Sequence, residues 1–99
     1  MTQAGFLYLI SEGPDGPVKV GRSANPRSRR SGLQTGNARP LRIVATFKMP
    51  AHQVAEAEET LHEEMQFAVL TGEWFDVSEQ FMTGYMPDFF LSNGFEVMP

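Results

Sequence analysis

Gly5-Phe6-Leu7-Tyr8-Leu9-Ile10-Ser11, then Gly13-Pro14-Asp15-Gly16-Pro17, then Val18-Lys19-Val20 decide the fold of this chain. The first run is apolar at odd and even positions alike, so both of its faces must be covered, as in a central strand. The glycines and prolines that follow are dense turn signals, and the β-branched Val18 and Val20 resume an extended run. Together they predict a β-hairpin at the heart of a sheet. Within it Lys19 leaves the face opposite to Val18 and Val20.

Working outward, Asn25-Pro26 offers an N-cap followed by proline at the first helical position, with Gly36 as the stop. Leu41, Ile43, Ala45, Phe47 and Met49 alternate with Arg42, Val44, Thr46 and Lys48, which predicts a third strand with one buried face. Ala, Glu, Gln and Leu dominate from about Ala51 to Val69, a second helix that Thr71-Gly72 ends. Glu73 to Val77 reads as a short extended piece. Ser78 caps a last helix through Phe81 and Met82, which Pro87 limits or kinks. Phe89 to Pro99 fits a frayed tail or a short strand. The expectation is an α/β fold of the α+β sandwich type: a small three-stranded antiparallel sheet flanked by about three helices, forming one domain over 1–99.

Composition bounds the function. With no cysteine in 99 residues, disulfides and thiolate metal sites are excluded, and a reducing compartment fits. No apolar run approaches the roughly 18 residues a membrane span needs, and Met1 to Ala4 lacks a basic leader. A soluble cytoplasmic protein with no membrane partner is expected. His52 and His62 alone do not make a zinc site. No glycine-rich phosphate loop opens a helix after a strand, which argues against nucleotide-triphosphate chemistry.

The net charge is −4, but its distribution is uneven: all eight Lys and Arg lie between Lys19 and Lys48, and ten of the twelve acids lie from Glu56 onward. Either this cationic block is a footprint for phosphate, or the two halves pair across the fold and cancel. The crowding of Arg27, Arg29 and Arg30 in one short helix favours phosphate.

At 100° per residue, Val54, Ala57, Leu61, Met65 and Ala68 form the apolar arc of the second helix, with Glu58 inside it and His62 on its edge. A carboxylate on a buried arc is costly unless it meets a cation. Glu58 is therefore either the buried partner of an arginine or a metal ligand in a cleft. In the first helix Pro26, Arg29 and Leu33 share a stripe, so Arg29 faces inward, toward the sheet and toward Glu58. It either bridges to Glu58 or clamps a phosphate.

These residues also form a pattern. Gly5 to Tyr8 with Lys19-Val20-Gly21 resembles the paired motifs of the GIY-YIG nuclease superfamily. Lys19 to Ser23, Asn25 to Arg29, Leu33 to Asn37, Ala57 to His62 and Gly72 to Phe75 resemble the motifs of one branch common in phage and bacterial reading frames. The resemblance spans about residues 5–82. It implies an endonuclease that hydrolyses phosphodiester bonds in nucleic acid, DNA first, with one Mg²⁺ or Mn²⁺ on Glu58. By the same resemblance Tyr8 helps activate water, Arg29 stabilises phosphate charge and His62 assists proton transfer. Lys19 stands where the superfamily has its second tyrosine and would supply electrostatics. Gly21, Arg22, Arg27, Arg30 and Asn37 would line the substrate groove. The alternative is an inactive module of the same type, gripping nucleic acid or a protein through that basic groove. A protein partner or a homo-oligomer fits either reading.

Overall fold

The computed structural model describes residues 4–99; Met1 to Gln3, which belong to the leader argument above, lie outside the described residues. Strands β1 (Ala4–Ser11) and β2 (Val18–Ser23) form the expected hairpin, followed by helix α1 (Pro26–Thr35), strand β3 (Arg42–Pro50) and helix α2 (Ala51–Glu64). A short 3₁₀ turn (Gln66–Ala68) leads into β4 (Val69–Thr71) and β5 (Trp74–Phe75), and α3 (Glu79–Asn93) completes the fold. The result is an α+β fold in which three helices flank one antiparallel sheet.

That sheet has five strands, in the order β3-β1-β2-β5-β4, where three were expected. Helix α2 stops at Glu64 rather than near Val69. The chain then turns at Gly72, whose φ of +56° suits a residue without Cβ. The β4–β5 hairpin so formed pairs Val18 with Phe75 and Lys19 with Trp74. It covers β2, so β2 is not an edge strand.

Strand direction sorts the side chains. Leu7, Leu9, Val18 and Val20 face α2 and α3, joining Met49, Val54, Ala57, Leu61, Met65, Phe75, Met82 and Met86 in the larger core. Tyr8 and Ile10 face α1 and form a smaller cluster with Leu41, closed by Leu33, Ile43 and Trp74. The single buried face expected of β3 is wrong in one respect. Pairing with β1 shifts register between Leu9 and Ile10, opposite Ala45 and Ile43, so Val44 is an extra residue. A bulge of this kind reverses the alternation. Leu41 and Ile43 therefore pack on the α1 side, while Ala45, Phe47 and Met49 pack on the other.

Both predicted caps form: the Asn25 side chain accepts from Ser28 N and the Ser78 side chain from Phe81 N. Pro87 does not end α3, which runs on to Asn93 and stops at the left-handed Gly94. The proline forfeits one helical hydrogen bond on the exposed side, and buried Met82, Met86, Phe89 and Phe90 hold the helix together. The tail from Phe95 is neither strand nor helix, and Met98 N donates to Lys48 O at 2.7 Å.

The start of α3 is pinned to the first hairpin. Buried Glu79 accepts hydrogen bonds from Ser11 and from the Arg42 guanidinium, and Glu79 N donates to Pro14 O at 3.0 Å. The Arg42 and Ser11 hydrogen bonds hold the Glu79 carboxyl below the usual range of 4.5. A carboxyl lowered by folding adds stability above its unfolded pKa and loses it as pH falls through the folded one. Glu79→Gln should therefore flatten the loss of thermal stability below pH 4.5, besides lowering stability near neutrality. Melting curves collected across acidic pH check this; an unchanged acid limb would mean that Glu79 titrates as it does in the unfolded chain.

Candidate active site

Tyr8 lies on the central strand opposite Gly21, with its ring laid across that residue. A Cβ added at Gly21 would fall closer than 3.0 Å to the Tyr8 hydroxyl and ring carbon Cζ, so glycine here is what makes room for the tyrosine. Tyr8 is buried, and its hydroxyl is pushed above the ordinary value of 10.0, first by that burial. An Arg29 hydrogen bond opposes the rise, while the charges of Glu73 and Glu58 add to it. Its environment thus includes groups from α1, α2 and the β4–β5 turn.

Val20 ties the opposite wall together through its backbone. Its N–H donates to Glu73 O at 3.0 Å, and its carbonyl lies 2.9 Å from His62 Nε2. The same residue thereby seats the β4–β5 turn and the middle of α2. Glu58, His62 and Glu73 converge there, each offering one ligand atom, all within 4.8 Å of one another. All three are half-buried.

The two carboxyls cannot ionise independently. Burial raises Glu58 above 4.5, and the nearby Glu73 charge raises it further, against the pull of His62 and Arg22. Burial also raises Glu73, but the Lys19 hydrogen bond and charge outweigh it, and Glu73 ends below 4.5. Lys19 Nζ sits 2.9 Å from Glu73 Oε2 and 5.8 Å from the centroid of the Trp74 ring. It is only 6% exposed, because β5 covers β2, so a solvated edge lysine is excluded. Two acids crowded around an imidazole form a donor set suited to a divalent cation.

The remaining predicted residues divide. Arg29 is exposed and forms no ion pair with Glu58, which takes its arginine from β2: Arg22 Nε lies 3.6 Å from Glu58 Oε1. The stripe itself does face the sheet, since Pro26 is buried and Leu33 packs on the Tyr8 cluster, but Arg29 on that stripe acts on Tyr8 and not on Glu58, its long side chain lying at the exposed rim. Arg27 is exposed and Arg30 half-buried on α1, lining the shallow grooves between that helix and β3. Asn37 is spent on structure, donating to Glu12 Oε2 in the β1–β2 turn and accepting from Arg39 N in its own loop. Glu73 was missed as a site residue, although Gly72 to Phe75 was a recognised motif. Placing it beside Glu58 required the unforeseen hairpin.

Part of the cationic block pairs across the fold, and part does not. Lys19, Arg22 and Arg42 pair with acids from the second half of the chain, and Arg39 with Glu12. Arg27, Arg29, Arg30 and Lys48 form no ion pair among the described residues. Three of these four are on α1.

The antiparallel sheet thus brings the Glu58, His62 and Glu73 donors together, while α1 carries three arginines without an ion pair among the described residues. The chain belongs to the T5orf172 domain family, which matches residues 5–85 and is a phage-associated domain type related to nuclease modules. No curated protein and no solved structure matches the chain. Among the described residues no helix is long and apolar enough to cross a membrane.

Proposed function

We propose that this domain is a metal-dependent endonuclease of the GIY-YIG type, hydrolysing phosphodiester bonds in nucleic acid, with DNA the favoured substrate. The observation that carries this reading is the convergence of Glu58 with further metal donors near the Tyr8 hydroxyl, beside the unpaired cations of α1. The cation, Mg²⁺ or Mn²⁺, would be held at Glu58; such an ion lowers the pKa of water and offsets phosphate charge.

The chain's own groups have separable parts. Arg29 presents a planar fork suited to two phosphate oxygens while it contacts Tyr8. Tyr8, its pKa raised, stays protonated at neutral pH and so donates a hydrogen bond to a water or a phosphate oxygen. Lys19, fixed against Glu73, adds positive potential without a lone pair to accept a proton. Arg27, Arg30 and Lys48 supply contacts to flanking phosphates, and Gly21 leaves the room that the Tyr8 ring and hydroxyl occupy.

Incubation with linear and branched DNA and with RNA, with and without Mn²⁺, tests the reading. Cleavage should require the ion, and binding should fall steeply with salt. Replacing both Arg27 and Arg30 should flatten the salt slope by about two phosphate contacts. Salt-insensitive binding, or none at low salt, would turn the reading toward a protein partner. Binding without cleavage under all metals would leave an inactive module.

A further inference from the structure

The resemblance assigns one carboxylate, Glu58, to the metal and gives His62 to proton transfer. The structure carries more than this. Glu73 and His62 place ligand atoms within 4.8 Å of each other and of Glu58, close enough for one ion to touch all three. One ring nitrogen of His62 is already engaged. The Val20 carbonyl at 2.9 Å can only accept, so Nε2 carries the proton and the Nδ1 lone pair is left for a metal. A ring held through one nitrogen by a backbone carbonyl is the usual support of a metal-binding histidine.

A cation already sits at this cluster. The Lys19 ammonium, almost wholly buried, lies 2.9 Å from Glu73 Oε2 and neutralises the acid that a metal would need. Ile10 and Trp74 flank Lys19 on the neighbouring strands, and the ammonium lies 5.8 Å from the centroid of the Trp74 ring. A divalent ion arriving between the two glutamates must share Glu73 with it, and like charges at that spacing repel.

We propose that Glu58, His62 and Glu73 together bind one divalent cation, in competition with the Lys19 ammonium that neutralises Glu73. This rests on the metal-dependent reading of the site and deepens it. His62 becomes a ligand instead of a proton carrier. Mixed oxygen and nitrogen donors suit Mn²⁺ or Zn²⁺ better than Mg²⁺, which prefers oxygen alone. Lys19 becomes a built-in brake on loading: weak metal occupancy is the consequence of keeping a positive charge beside the reacting phosphate.

Mn²⁺ binding, read from the loss of the free-ion electron paramagnetic resonance signal, tests this on the whole chain without nucleic acid. Glu73→Gln and His62→Gln should each weaken Mn²⁺ binding by about tenfold or more. Mg²⁺ should compete poorly. Lys19→Met should tighten Mn²⁺ binding several-fold, and Lys19→Arg should not. A gain in affinity cannot come from a damaged fold, so that variant keeps the test sound if the glutamine variants are unstable. Unchanged affinity in Glu73→Gln, with binding lost only in Glu58→Gln, would overturn the three-ligand site. Equal or weaker binding in Lys19→Met would overturn the competition, and no Mn²⁺ binding by the native chain would overturn both. Cleavage assayed in the same samples separates the two readings. Ligand-dependent Mn²⁺ binding without cleavage supports the site and sinks the nuclease.

Discussion

Glu58→Gln should abolish metal-dependent cleavage while the protein melts at the same temperature or slightly higher. Glutamine keeps the shape of the side chain but removes the charge that holds the cation, and with it the means of lowering the pKa of the attacking water. The fold should not suffer, because in the metal-free protein the carboxylate is a burden. It is half-buried, and Glu73 stands beside it, so burial and like charge already push it toward the neutral form. Its ion-pair partner Arg22 has a side chain 54% exposed at 3.6 Å, and such pairs add little. Thermal melting and a cleavage assay on the same sample decide the matter. A variant that unfolds would show Glu58 to be structural; one that cleaves normally would remove it from the chemistry.

Gly21→Ala should damage both stability and activity, and through a single contact. The new methyl group has nowhere to go, since the Tyr8 hydroxyl and Cζ occupy its place. Tyr8 cannot swing aside easily, because Ile10, Leu33, Leu41, Ile43 and Trp74 enclose its cluster. Overpacking of this sort costs about 1–3 kcal/mol. Displacing the hydroxyl by even about 1 Å should lower the rate on the order of a hundredfold. The stability cost should largely vanish when Tyr8 is first replaced by alanine, as contacting residues do not act additively. If Gly21→Ala costs the same on both backgrounds, Tyr8 is not what the methyl meets.

The legible parts of this fold are those decided within a few neighbouring residues. The turn chemistry of residues 13–17 gave away the first hairpin, and Asn25 and Ser78 announced their helices because a cap needs only the next three residues. The position of Glu58 on α2 was legible too, since periodicity places a side chain relative to its own helix. What periodicity cannot give is the partner across the gap. Arg29 and Arg22 were both cations of suitable reach, and only strand register puts Arg22 beside Glu58. Val69-Leu70-Thr71 follows directly on a long helical run, and although Val69 and Thr71 are β-branched, three residues are too few to declare a strand without the β5 partner that pairs with them. The same pairing brings in Glu73 and buries Lys19, so the missed strands and the missed site residue have one cause.

The extra residue at Val44 has a bearing on how such a domain can change over generations. Because the bulge puts β3 out of phase with itself, residues 41–43 serve the layer around Tyr8 while residues 45–49 serve the layer around Leu7 and Leu9. A regular strand would bind both segments to one core, and any gain in volume near Phe47 would have to be absorbed near Ile43. Here the two segments belong to different clusters, and substitutions without shared neighbours tend to act independently. The layer that builds stability can therefore drift in sequence while the layer that holds the tyrosine stays constrained, and Val44 is the joint between these two histories.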